Sequence, residues 1–337
     1  MSPVRSILEV PPGGHGSQVL RVRNTGQDVV VLTTRLADWT VSEGTTEGLA
    51  LHPPATRQRS CSEWVEVWPA ELEIGPGESG TLRISVALPD QAEGSYFSAV
   101  VLATGARPAR LGSAEVGLAV NIGHLLTVHT AGRTSWSAEA GGLALSRPDD
   151  TRSLEIGLDL QNTGTGAIRP TGSFAIVDEA GGVVGKVDLG TYCAQPGGVV
   201  RVRELWDGLL VPGAYRVYGT VEIGGGVVLT PEAALEVRDE VAVDSLRAVP
   251  AGGSVRATAR FANPGNISHR LGGVVELLGP DGGVVRSADF GPTPVLADDT
   301  AEEAFDLGPA EPGPYIVRLV GGDDEVRLEA TAEVFVP

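Results

Sequence analysis

Along the whole chain, apolar residues recur at every second position in short runs, and the runs end in Gly, Pro, Asn or Asp. One run is Tyr215, Val217, Gly219 and Val221; another is Tyr315, Val317 and Leu319. A third lies over 115–128, where Val116, Leu118, Val120 and Ile122 share one face and Gly117, Ala119, Asn121 and Gly123 the other. Period two is the signature of a half-buried strand. No stretch carries the wider apolar stripe of a long amphipathic helix. Between the runs, 46 Gly and 23 Pro act as punctuation without a fixed period. The pattern predicts an all-β chain of many short strands.

The strands come in a repeat. Residues 172–190 (GSFAIVDEAGGVVGKVDLG) align without a gap with 273–291 (GVVELLGPDGGVVRSADFG), an offset of 273 − 172 = 101. Upstream, Leu160-Gln161-Asn162-Thr163-Gly164 matches Phe261-Ala262-Asn263-Pro264-Gly265 at the same offset. Downstream, Pro212-Gly213-Ala214-Tyr215 matches Pro312-Gly313-Pro314-Tyr315, 100 residues apart. Asn-x-Gly after an apolar run marks a turn that tolerates positive φ, and Gly181-Gly182 and Gly282-Gly283 suit tight hairpins. A unit of about 100 residues is the size of one β-sandwich of immunoglobulin type, whose penultimate strand opens with a corner-closing Tyr. A looser copy precedes the pair: Asn24-Thr25-Gly26, then Pro76-Gly77, then Gly94-Ser95-Tyr96. The expected architecture is therefore three tandem immunoglobulin-like β-sandwich domains, at 1–130, 131–240 and 241–337. Asn24 and Asn162 stand 138 residues apart, so the first domain holds extra length, which falls mainly in a Gly-, Thr-, Pro- and Ser-rich loop over 40–60.

Charge narrows the partners. The formal net charge is −18, made up of −4, −6 and −8 over the three stretches, and Lys186 is the only lysine. A uniformly acidic surface repels phosphate backbones, so nucleic acid is excluded as a partner class. No apolar run reaches the length of a membrane span. Met1-Ser2-Pro3 leads straight into a strand; for a periplasmic or extracellular protein this implies a mature start from which a leader has been removed, the alternative being a cytoplasmic protein that begins at its natural methionine.

Catalytic patterns are missing from the sequence. The five histidines are isolated, and five residues of strand put His124 and His129 on opposite faces. There is no Gly-x-Ser-x-Gly elbow, no His-Glu-x-x-His, and no Lys after the Gly-rich turns. The acidic doublets Asp149-Asp150, Asp298-Asp299 and Asp323-Asp324 supply only part of a calcium shell and read as solvated loops. No cofactor, metal or enzymatic activity is expected. Trp64 and Trp68, at even spacing, would share a face with each other and form an aromatic surface with Trp39, Tyr96 and Phe97, or anchor the 40–60 loop. Cys61 and Cys193 fall in different domains. A disulfide would lock the first domain to the second, but two separate buried thiols are the favoured reading.

Asp38-Trp39, the segment Arg59-Ser60-Cys61-Ser62-Glu63-Trp64-Val65-Glu66-Val67-Trp68-Pro69, Gly75-Pro76-Gly77 and Gly94-Ser95-Tyr96-Phe97-Ser98-Ala99-Val100 follow one another as in a known family. Over 1–130 the chain resembles the N-terminal domain of PapD-like periplasmic pilus chaperones. The resemblance implies a non-enzymatic assembly factor that binds a pilin-like or other envelope protein by β-augmentation along the last strand of the first domain. It also implies a basic pair in the interdomain cleft for the client's terminal carboxylate. Arg5 matches the arginine; the lysine is missing, with Asn121 and His124 in that region instead. The binding residues expected on this basis are Arg5, Val116, Leu118, Val120, Asn121 and Ile122, with Trp64 and Trp68 as an aromatic surface. The rival reading is a structural cell-surface stalk or filament subunit, for which the duplicated second half supplies length.

Overall fold

A computed structural model describes residues 1–41, 48–105, 107–111, 114–118, 120–146 and 153–337, with 107–111 and 114–118 described by their backbone alone. Among these residues the secondary structure is strand throughout, apart from one 3₁₀ turn at Ser62–Trp64. Apolar side chains gather into three large buried clusters and a smaller fourth.

The first stretch contains β1 (Arg5–Val10), β2 (His15–Arg23), β3 (Val30–Val41), β4 (Leu49–His52), β5 (Val65–Trp68), β6 (Glu71–Ile74), β7 (Ser79–Ala87), β8 (Ser95–Thr104), β9 (Arg107–Leu111), β10 (Ala114–Leu118) and β11 (Asn121–Thr130). One sheet runs β1-β11-β8-β3-β4, with β6 also on β3; the other runs β2-β7-β5. Leu20, Leu82, Ile84, Leu102 and Leu126 fill the space between them. The run over 115–128 is not one strand. It is split into β10, which pairs only with β9, and β11, which pairs with β8. The break comes at Val120, whose N–H donates to Thr104 Oγ1 (2.9 Å) and whose carbonyl accepts from Thr104 N (2.9 Å). These two bonds continue the β11–β8 register by one residue. The 40–60 segment is likewise not all loop, because β4 adds to the edge of β3 with Trp39 opposite Leu51.

The second half carries its repeat into atomic detail. Phe174, Ile156 and Val217 centre one core, and Phe261, Val275 and Val317 the other. In the first copy, strands Thr171–Asp178 and Val183–Asp188 are joined by a turn with Gly181 at φ +84°; in the second, His269–Leu278 and Val284–Val295 are joined with Gly282 at φ +79°. Only glycine takes that conformation without steric cost.

The Asn-x-Gly motif explains itself here. Asn162 is 1% exposed; its amide donates to the carbonyls of Gly166 (2.8 Å) and Ala194 (2.9 Å), and its Oδ1 accepts from Gly164 N (3.0 Å). Asn263 makes the same three bonds 101 residues later, to Ile267 O (2.6 Å), Val295 O (3.3 Å) and from Gly265 N (3.1 Å). Asn24 repeats them with Asp28 O, Ile74 O and Gly26 N at 2.7, 3.0 and 2.9 Å. Each side chain thus plugs three backbone groups at a turn into the core, where an unpaired group is costly. The corner tyrosines behave alike: Tyr215 Oη donates to Val211 O (2.8 Å) and Tyr315 Oη to Glu311 O (3.0 Å).

The smaller cluster is a seam between the first stretch and the second. Trp39, Phe97, Val101 and Leu125 from β3, β8 and β11 meet Ala167 and Cys193. Gly94, at φ +77°, lies so close to Thr165 that a Cβ would sit 2.5 Å from its carbonyl oxygen. Ser95 N donates to that same carbonyl (2.8 Å), and Gln195 Nε2 donates to Trp39 O (3.0 Å). Ser95 Oγ accepts from Ala167 N (3.0 Å) and shares a hydrogen bond with His129 Nδ1 (2.6 Å). Burial, helped by the nearby Arg169 charge, pushes the His129 pKa down to about 4. Burial also lowers His124, opposed by its bond to Pro3 O.

Two outcomes follow. Asn162→Ala and Asn263→Ala should each cost about 1–3 kcal/mol, and the double variant should lose their sum within about 0.5 kcal/mol, because the two plugs share no hydrogen-bond partner. Denaturant titration of the three variants reads this directly; strong coupling would contradict it. The second outcome concerns pH. A histidine whose folded pKa lies below its unfolded value of about 6.5 costs stability as acid is added, since only the unfolded chain takes the proton. Stability should fall between about pH 6.5 and about 4 and then lose this slope, and His129→Gln should flatten the fall in thermal melts.

Candidate functional site

The candidate site is the start of β11 and the cleft beside it, and the course of β1 determines both. Ser2 pairs with Arg21 of β2 (Ser2 N to Arg21 O 2.8 Å, Arg21 N to Ser2 O 2.9 Å). Three residues later the chain has crossed to the other sheet, where Arg5 lies beside Leu125 and β1 runs parallel to β11 as far as Thr130. Leu125 N donates to Val4 O (2.9 Å). Backbone groups alternate sides along a strand, so the N–H and C=O of Asn121 and Gly123 point the same way as those of Leu125. β1 does not extend to them. Their stretch of β11 therefore has β8 on one side and no strand on the other.

The side chains around this free half are apolar and accessible. Val120 is 46% and Ile122 36% exposed. Both lie over a cleft of about 210 Å³ at the open end of the sandwich, with Val22, Val30, Leu32 and Ile74 behind them. Gly123 leaves open space where a side chain would stand. His124 closes the far end: its Nδ1 donates to Pro3 O (3.0 Å) and its Nε2 accepts from Ser6 Oγ (2.8 Å), pinning the crossing strand. Val116 and Leu118 lie on β10, opposite Ala109 and Arg107, and their side chains lie outside the described residues.

Two arginines lie along the half of β11 that β1 covers. Arg5 is exposed at the first paired position of β1. Arg169, from the second stretch, reaches β11 with Nη2 3.3 Å from Thr127 Oγ1. Its Nε is buried and meets no hydrogen-bond partner among the described residues. Burial raises the pKa of the Cys193 thiol, while Arg169 and Arg5 both act on it in the opposite sense. Arg169 was not singled out from the sequence, because nothing local ties it to a strand some forty residues earlier. The one available signal was the repeat, which places Arg270 at 169 + 101.

The aromatic residues do not form one surface. Trp39 is 3% exposed and meets Phe97 edge-on at 5.2 Å in the seam. Trp64 packs edge-on against Tyr96 at 4.8 Å, with Arg59 over the far ring. Trp64 ends the 3₁₀ turn, so the period-two rule begins only at Val65, and Trp64 and Trp68 are not brought together. Trp68 stands 76% exposed on the outer face of β5.

Asp38 builds the loop that seats this region. Its carboxylate, 1% exposed, accepts from the N–H groups of Ala55 (3.2 Å), Thr56 (2.8 Å) and Arg57 (2.9 Å) and from Ser60 and Ser62 hydroxyls (2.5 and 2.7 Å). Burial pushes its pKa up, but these bonds outweigh burial and hold it below the usual carboxylate value. Cys61, at the end of that loop, is buried in the first core, and Cys193 is buried in the seam; both are free thiols. Among the described residues, no three His, Cys, Asp or Glu side chains are placed to hold a metal ion, and no helix is long and apolar enough to cross a membrane.

No protein-family model matches the chain, and no curated protein matches it. Solved structures similar to it are pilus chaperones. The class 5 fimbriae chaperone CfaA is 13% identical over 68% of this chain and 97% of that one, at a TM-score of 0.38. The E. coli chaperone DraB is 14% identical over 70% and 96%, at 0.32. A structure of the Salmonella enterica SafA pilin in complex with the SafB chaperone is matched at 13% identity over 69% and 93%, at 0.34.

Proposed function

We propose that this chain is a non-enzymatic, extracytoplasmic protein-binding or assembly factor made of three tandem sandwiches (1–130, 131–240 and 241–337), whose first sandwich captures an envelope protein by β-strand addition. The observation that carries this reading is the free half of β11. Asn121 and Gly123 offer backbone donors and acceptors along an unpaired edge, and such an edge templates another strand. Val120 and Ile122 add apolar contact at alternate positions, which is how strand addition gains specificity. Arg5 and Arg169 would hold a carboxylate of the partner, a pilin-like chain end being the simplest such group; a guanidinium fork suits that anion well. A second reading, a stalk or filament subunit, is favoured by the recurrence of the same Asn plug and hairpin in the two later copies.

Val120→Asp and Ile122→Asp should each reduce partner capture from envelope extracts at least about tenfold, because alternate apolar contacts at the edge are lost and a charge is placed there. Both positions are substantially exposed, so the melting temperature should stay nearly unchanged. Capture that survives both changes would exclude the strand-addition reading. Unfolding in both would show that these side chains serve only their own core.

A further inference from the structure

The chain is acidic overall, yet one of its flat faces is not. On the outer side of the β2-β7-β5 sheet, cross-strand register places Val19, Arg83 and Trp68 in a row, with Arg21 beside Thr81 in the next row and Arg23 beside Ser79 in the one after. Trp68 is 76% and Val19 53% exposed, and the three arginines are exposed as well. Among the described residues none of these arginines has an ion-pair partner; Glu66, opposite Ser85, is the acidic group on the same face. The platform therefore presents an apolar centre with a basic border.

The outer face of the last sheet has the complementary pattern. Register puts Leu278 beside Ile316, Ile316 beside Glu333, Pro314 beside Phe335, and Val320 beside Glu329. Ile316 is 42% and Phe335 65% exposed, and they line an open groove of about 660 Å³. Arg318 is neutralised by Glu276 at 2.6 Å, and the exposed Arg327, opposite Gly322, stands at the end of this face away from the groove. Glu329 and Glu333 carry no ion pair among the described residues, in a stretch whose net charge is −8. At the groove end the face is apolar with Glu333 in its rim.

We propose that copies of this chain associate head to tail, the β2-β7-β5 platform of one copy seating Trp68 in the Ile316–Phe335 groove of the next, with Arg21, Arg23 and Arg83 facing Glu329 and Glu333. The two faces differ, so the contact is heterologous and propagates along a row of copies instead of closing a two-fold dimer. It uses neither the free half of β11 nor the Arg5–Arg169 pair, and it stands or falls independently of strand addition. Exposed charges around an apolar centre steer association and make it salt-dependent.

Sedimentation velocity over a concentration series tests this. The wild-type chain should form concentration-dependent oligomers that dissociate in high salt. Arg21→Glu with Arg23→Glu should weaken association at least about tenfold, and so should Glu329→Arg with Glu333→Arg. The decisive sample is the mixture of these two variants, in which reversed faces again meet opposite charges: association should return, with the variants alternating. All four positions are exposed, and circular dichroism of each variant checks folding. A wild-type chain that stays monomeric at every concentration would overturn the proposal. So would variants that associate as before, a mixture that shows no recovery, or binding of the platform only to some other acidic protein.

Discussion

The crossing of the first strand between two sheets is the constraint on which the rest of the site depends. A backbone donor or acceptor that is not paired in a sheet must find another partner or face water. β1 leaves β2 at Ser2 and reaches β11 only at Arg5, so it pairs with the later part of that strand and not with its start. Everything distinctive about the site follows: the bare groups of Asn121 and Gly123, the exposure of Val120 and Ile122, and the place of Arg5 at the corner. His124 holds the crossing where it is through Pro3 and Ser6. The position of the crossing, more than any one side chain, sets how long the free edge is.

The seam gives that edge its surroundings. Ser95, His129 and Ala167 form a buried chain of hydrogen bonds, and Gly94 allows the second stretch to come close enough to complete it. Arg169 arrives at β11 because the Asn162 plug fixes the turn just before it. One buried amide in the second stretch thereby positions a cation beside a strand of the first.

Much of this was legible in the sequence, and the reasons differ by element. The Asn-x-Gly, Gly-Gly and Pro-Gly-x-Tyr landmarks report local backbone geometry, and each sits where such geometry is required: in plugs, hairpin turns and corners. The alternation of Val120 and Ile122 was also visible. The break between β10 and β11 was not, because period two continues across it while the pairing partner changes from β9 to β8. Trp64 and Trp68 looked equivalent because spacing alone cannot reveal a 3₁₀ turn ending between them. Arg169 was missed because its role depends on contact between units far apart in sequence.

The most direct measurement is amide hydrogen exchange at Asn121 and Gly123, in the free chain and in the complex with its captured partner. If a partner strand adds to β11, both amides exchange rapidly in the free chain and become strongly protected in the complex, while Leu125, already bonded to Val4, changes little. Amides already protected in the free chain, or equally fast with the partner bound, would contradict the account.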